Sequence, residues 1–352
     1  AGSAQAPIVV CENGRDVTAA AIAARSRLNP ESGAMVSAVW LDWDDEPGRL
    51  LLQIHHLVVD GVSWRVLVPE LISAYQQLAS GVSVTELSMP AAPTSFGGWA
   101  RKLVELDRSA ELSLWRELDG AALPGFFTRA LDPALDRSGD TRVHRVSVDA
   151  AVAGKILGPA PARLGVAVDD ALLGAFGAAL DTPVLVDLES HGREEHLVPG
   201  ADLTGTVGWF TAVAPVPVGG DRSATEQARD IAAWRGRAPD GGVGYGLLRY
   251  RDGADLPAAG IEFNYLGRYR SFEFGDWGMA PESSEIGPDD AMPAGYGLIV
   301  DVTTLDGPDG TRLDAIWRYQ PGVVDETTVE GLAQRWLAGL AEITDSVNEG
   351  EL

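Results

Sequence analysis

Strand-length apolar runs alternate with helix-length segments in both halves of the chain, and this alternation narrows the possible folds more than any other feature. In the first half, Val17–Leu28 reads as an Ala-rich helix that stops at Asn29-Pro30. Met35–Asp42 and Leu50–His55 then read as a hairpin around the turn Glu46-Pro47-Gly48. A turn at Asp60-Gly61 opens a helix that runs to about Ser80, with Ser63 as its cap and Pro69 tolerable only in its first turn. The Pro- and Ser-rich stretch Gly81–Phe96 reads as a surface connection, followed by a helical pair over Gly98–Leu118. In the second half, helices fit Asp149–Leu157, Asp169–Leu180, Ala224–Arg235 and Thr327–Ser346. Strands fit Val184–Glu189, Trp209–Val218, Gly260–Leu266, Tyr296–Thr304 and Arg312–Tyr319. Such mixing predicts an α/β fold of α+β layered lobes. The rise in Gly and Pro over Asp119–Asp140 places the boundary between residues 1–125 and 126–352.

A chain of 352 residues, 45% hydrophobic, can bury two ordinary cores. Its 51 acidic against 27 basic residues give a net charge of -24, which repels phosphate backbones and anionic lipid. Nucleic acid and membrane are therefore poor partners. No apolar run approaches the roughly 20 residues that span a bilayer. Cys11 is the only cysteine, so no internal disulfide can form, and a reducing cytoplasm fits. The opening Ala1–Val10 has neither the basic nor the apolar region of a signal peptide and reads as an interior cut of a longer chain.

The chemistry-bearing stretch of the first half is His55-His56-Leu57-Val58-Val59-Asp60-Gly61. In a strand, neighbouring side chains point to opposite faces, so one histidine of the pair faces a given cleft. The Asp-Gly turn puts that imidazole beside a helix start, and imidazole is the side chain whose ordinary pKa permits proton exchange near neutrality. An ordinary strand-end turn would use the same residues. The continuation through Leu57–Arg65 favours the chemical reading.

Leu50–Leu67 resembles the histidine motif of the condensation-domain superfamily of nonribosomal peptide synthetases, and Asp60-Gly61-Val62-Ser63-Trp64 resembles its epimerization branch. Later blocks follow in that branch's order. Val186–Glu194 is similar to its EGHGRE signature, and Thr206–Thr211 to its next block. Pro239–Tyr250 is similar to PxxGxGYGxLRY, and Phe263–Gly267 to FNYLG. Ser190 stands where that branch has Gly, and Gly205 where Arg is frequent.

The resemblance implies two chloramphenicol-acetyltransferase-like lobes in a V, the N-terminal lobe incomplete here. In the family, the Asp of the histidine motif pairs with an upstream Arg absent from this sequence, so Asp60 is expected to lack its partner. The implied reaction inverts the α-carbon of a carrier-bound aminoacyl or peptidyl thioester. A proton leaves one face of Cα and another arrives on the opposite face, the intermediate carbanion being delocalised into the thioester. The catalytic groups carried over are His56 and Glu189. Asn264 and Tyr265 are candidate donors to the thioester or enolate oxygen, the alternative being a buried Asn that bonds backbone at a sheet edge. Glu189 must hold a raised pKa to return a proton at neutral pH, whereas an ordinary strand-end Glu is a solvated carboxylate. His55 supports the site or the turn, Asp60, Gly61 and Trp64 build the motif, and Trp64 and Trp209 are expected to pack in the core.

No metal or cofactor of its own is implied. The substrate arrives on the 4'-phosphopantetheine of a peptidyl carrier protein domain, with neighbouring synthetase domains as the other partners. Gly242, Gly244 and Gly246 lack the strand-to-helix setting of a dinucleotide site and read as a flexible loop. Two rival readings share the motif. One is a condensation domain forming an amide between two carrier-bound substrates, against which the EGHGRE-like and FNYLG blocks argue. The other is a non-catalytic docking platform, which would have lost His56 or Glu189.

Overall fold

The computed structural model describes residues 8–12, 15–43, 46–118, 123–269, 277–282, 289–307 and 310–348. They form two compact units, one of residues 1–105, 193–211 and 271–287, the other of 106–192, 212–270 and 288–352. The chain thus leaves the first unit at Glu105, ahead of the boundary expected at 125/126, and returns to it twice.

In the first unit, β1 (Ile8–Glu12) runs parallel to β2 (Val36–Leu41), and β2 pairs antiparallel with β3 (Arg49–Ile54). Helix α1 (Val17–Arg25) starts where the Asp16 carboxylate accepts the Ala19 N–H at 2.8 Å. It buries Ala20, Ala21 and Ala24 in one cluster with Val39, Leu41, Trp43 and Leu51. Each large apolar side chain so buried stabilises by about 1.5–3 kcal/mol. Helix α2 (Gly61–Ala79) contains Pro69 in its interior, where the ring removes a backbone donor. Its cap is Asp60 and not Ser63. Helix α3 (Phe96–Leu103) sets Trp99 in a small core with Val198, Leu203 and Phe210.

The second unit holds a six-stranded mixed sheet in the order β4 (Arg142–Val148), β9 (Gly310–Tyr319), β8 (Leu298–Gly307), β7 (Ile261–Tyr269), β5 (Val184–Ser190), β6 (Ala212–Val218). The central pairs β8–β7 and β7–β5 are parallel and the others antiparallel. Its helices are α4 (Leu112–Arg116), α5 (Ala150–Ile156), α6 (Pro159–Leu164), α7 (Val168–Ala178), α8 (Ala224–Arg237), α9 (Val243–Gly246) and α10 (Glu326–Asn348).

Alternation along the strands sorts this sheet into two chemical faces. One carries Val186, Ile261, Phe263, Val300, Val302, Ala315 and Trp317, all buried with helix side chains in the main core. There Phe176 of α7 meets Phe263 and Trp317, and Trp317 meets Trp336 of α10, with ring centroids 5.6, 5.7 and 6.2 Å apart. The alternate residues Asp187, Glu189, Glu262, Asn264, Asp301 and Arg318 are polar. One face is thereby committed to core, and the other mixes these polar residues with Leu185, Ile299 and Ile316.

Two elements escaped the sequence reading. Strand β1 is short, and β4, at the sheet edge, buries only Val146 and Val148 of its seven residues, too weak a pattern to recognise. The glycine-rich stretch is not a flexible loop. Pro239–Arg251 coils through short helical turns, with Asp240 at φ 52° as the only described non-glycine residue of positive φ. Arg108 holds Asp240 at 2.6 Å, and the Ser190 hydroxyl donates to the Gly241 carbonyl at 2.8 Å.

Candidate active site

In the first unit, β3 ends at Ile54 and the histidine pair lies beyond it. The His55 N–H donates to the Met35 carbonyl at 2.9 Å, and His55 Nδ1 accepts the Leu57 N–H at 3.2 Å. His55 is thus held as part of the turn. His56 opens a single 3₁₀ turn (His56–Val58), so strand alternation does not separate the two imidazoles as expected. The His56 ring is exposed and meets Trp209 edge-on, centroids 5.0 Å apart and planes at 62°. Trp209 is 43% exposed, so it serves this imidazole and not the core.

Behind the turn lies a closed polar knot. Asp60 Oδ1 accepts the Ser63 N–H at 2.8 Å and the Ser63 hydroxyl at 2.7 Å. Oδ2 accepts the Phe210 N–H at 3.0 Å. Arg193 donates from Nη1 to Oδ2 at 2.8 Å and from Nη2 to Oδ1 at 3.1 Å, while its guanidinium lies 4.2 Å from the centre of the Phe210 ring. Burial would push the Asp60 carboxyl up, but Arg193, Ser63 and the Phe210 N–H outweigh it and hold the pKa below its ordinary value. Asp60 therefore does not lack a partner. Arg193 of the EGHGRE-like block pairs with it, and its distance in sequence from Asp60 hid it.

The second unit presents the carboxylates. Glu189 lies near the end of β5 and is exposed, while Asp187, two residues earlier on the same face, is 8% exposed. Tyr296 donates its hydroxyl to Asp187 Oδ2 at 2.9 Å. Burial pushes Asp187 up to about 6, against the Tyr296 hydrogen bond and the nearby Arg249. Glu262 faces Asp187 in the β5–β7 register. Burial, then the charges of Glu189 and Asp187, raise Glu262 to about 8, against a hydrogen bond from Asn264 and the charge of Arg318.

Asn264 lies buried on this polar face, its Nδ2 donating to Asp301 Oδ1 at 3.3 Å, and Asp301 pairs with Arg318. Tyr265 points the other way: its ring packs against the main core and its hydroxyl bonds Thr304 Oγ1 at 2.8 Å. Of the two expected enolate donors, only Asn264 shares a face with Glu189. The sequence reading missed Asp187, Glu262, Asp301 and Tyr296. A carboxylate at alternate positions of otherwise apolar strands, as in VLVDLE and GIEF, was the available signal.

Residues 12–350 match the Condensation domain family, and the chain belongs to it. Over 91% of its length it is 33% identical to part of the linear gramicidin synthase of Brevibacillus parabrevis, and over 93% it is 34% identical to the chondramide synthase of Chondromyces crocatus. It spans only 4% and 9% of those two proteins. Among solved structures it is similar to the epimerization domain from the third module of tyrocidine synthetase B, with a TM-score of 0.80, 26% identity and coverage of 97% of this chain and 80% of that one. The mixed α/β fold is that of the condensation superfamily.

Proposed function

We propose that this domain inverts the α-carbon of a carrier-bound aminoacyl or peptidyl thioester, His56 and Glu189 being its proton-transfer groups. The observation that supports this most is the polar sheet face carrying Glu189, where Asn264 of the FNYLG-like block joins the acidic block on one surface. A carboxyl near buried acids is suited to holding or releasing a proton at neutral pH. The exposed imidazole of His56, braced by Trp209, supplies the other transfer. Asn264 would donate to the thioester oxygen as charge develops there. The prosthetic 4'-phosphopantetheine belongs to the partner carrier domain, and the chain brings no cofactor to the reaction. A cytoplasmic synthetase assembly is the proposed setting. Likeness to the tyrocidine synthetase epimerization domain supports the same reading.

Membership of the Condensation domain family favours amide formation as a second reading. One experiment separates the two. With a single carrier-loaded L-substrate in heavy water, deuterium enters Cα and the D-isomer accumulates if the domain epimerizes. A longer peptide, formed only when a second loaded carrier is present, marks condensation. A Cα hydrogen that stays unexchanged through long incubation refutes the proposal.

A further inference from the structure

The three strands β5, β7 and β8 set side chains of one face directly opposite each other. Asp187 is the register partner of Glu262, and Asn264 that of Asp301, while Glu189 lies two residues along β5 from Asp187. Asp187 and Asn264 are 8% and 9% exposed. Each keeps one buried oxygen, Asp187 Oδ1 and Asn264 Oδ1, without a hydrogen-bond donor among the described residues. Asp187 faces Glu262 across the ladder, while Asn264, two residues along Glu262's own strand, donates a hydrogen bond to the Glu262 carboxyl. A buried acceptor without a donor is destabilising. A protonated Glu262 carboxyl would offer Asp187 Oδ1 a donor from the register-partner position, and an ionised one would add a further acceptor and a further charge.

The other groups on this face do not replace that donor. Arg318 of β9 pairs with Asp301, the Tyr296 hydroxyl is given to Asp187 Oδ2, and Arg249 acts on Asp187 through charge alone. Arg145 of β4 lies near enough to Arg318 to act on it as a like charge. Glu189 interacts electrostatically with Glu262, so a proton held on one changes the charge felt by the other.

We propose that Glu262 is a positioning residue for proton transfer at Glu189: its carboxyl keeps one proton within the β5–β7–β8 ladder and shares it with Glu189, which can then act as an acid as well as a base. The inference rests on the proposed epimerization. The shared proton passes from Glu262 to Glu189 and from Glu189 to Cα, where the electron pair of the new C–H bond comes from the enolate. Both carboxyls are then ionised until a proton returns to the pair from solvent. The proton lost from the opposite face of Cα balances the cycle through His56 and solvent. Without Glu262, Glu189 loses the carboxyl from which it is supplied with a proton.

Two readouts test this on the whole domain. The infrared band of a protonated carboxyl, which needs no substrate, should persist in the wild type at pH 7, fall by about half near pH 8, and be absent from Glu262→Gln at pH 7. Exchange of the Cα hydrogen on a carrier-loaded thioester should fall at least about tenfold at pH 7 in Glu262→Gln. The alkaline limb of its rate profile should move to lower pH, and Glu262→Asp should restore part of both. Equal melting temperatures at pH 5 confirm that the Gln variant is folded. A band already lost below pH 6 in the wild type, or an unchanged rate profile in Glu262→Gln, overturns the shared proton. A band that titrates as expected in a wild type that exchanges no Cα hydrogen instead overturns the epimerization reading, and the catalytic role with it.

Discussion

Arg193 spans both carboxylate oxygens of Asp60, Nη1 to Oδ2 at 2.8 Å and Nη2 to Oδ1 at 3.1 Å, with the two side chains 10% and 1% exposed. The pair joins the EGHGRE-like block to the histidine motif. It fixes the cap of α2 and, through the Phe210 N–H, the backbone beside Trp209. Removing one partner of a buried pair strands the other charge, so Arg193→Ala should destabilise the domain by about 3 kcal/mol. Asp60→Asn, which keeps the shape and loses the charge, should also destabilise, because Arg193 is then left buried without this counter-charge. Chemical denaturation measures both. Midpoints equal to wild type for Arg193→Ala would show that the pair holds nothing together.

Trp209 meets the His56 ring while remaining 43% exposed, so it contributes little core burial. Trp209→Ala should lower kcat for α-carbon exchange by roughly tenfold, with the melting temperature nearly unchanged. Trp209→Phe, which keeps an aromatic edge, should recover part of the rate. A loss of stability as large as that of a buried tryptophan would mark Trp209 as a core residue instead.

Direct exchange measurements on Glu189→Gln and His56→Ala address the proposed proton-transfer groups themselves. Each substitution should cost about 10²–10⁴ in rate at pH 7. Neither side chain is buried, so folding should survive in both. Wild-type exchange in either variant removes that residue from the mechanism.

The strands and helices were legible wherever a strong apolar period ran through them. Val184–Ser190, Ile261–Tyr269 and Ala224–Arg237 lie close to their expected bounds because one face of each is core. The misreadings have local causes. Ser63 and Asp60 are both capping residue types, and only the fold shows that Asp60 accepts the N–H while Ser63 reaches Gly208. Tyr265 and Asn264 are adjacent in a recognisable block, but a strand sends neighbours to opposite faces, so one enters the core as the other joins the acids. Arg193 and Glu262 were invisible as partners because register and chain return, not sequence distance, bring them to Asp60 and Asp187.

Gly244 tests whether the glycine-rich block is packing or loop. A Cβ added there would come within 2.5 Å of the Glu111 carboxyl carbon. That carboxylate cannot swing aside freely, since Arg108 holds Oε1 at 2.9 Å and the Trp115 indole donates to Oε2 at 3.3 Å. Gly244→Ala should therefore cost about 1–3 kcal/mol, the range of an overpacked core. Gly246, with nothing near its added Cβ, is the control, and Gly246→Ala should be close to neutral. Equal stability of the two variants would return the block to a loop.

The acidic face also sets how stability varies with pH. Glu262 has an ordinary value of 4.5 and a folded value of about 8, and Asp187 goes from 3.8 to about 6. Between each pair of values the folded chain holds a proton that the unfolded chain has released. Stability from this source is thus complete below the ordinary value and is lost as pH rises through the folded one. Asp60 acts in the opposite sense: its contribution is present above 3.8 and is lost as pH falls through its lower folded value. The melting temperature of the wild type should therefore decline from pH 5 to 8.5, and that of Glu262→Gln should decline less. The gap between them should widen with pH, since Gln cannot ionise. A gap that stays constant over that range would mean that Glu262 titrates as an ordinary surface carboxylate.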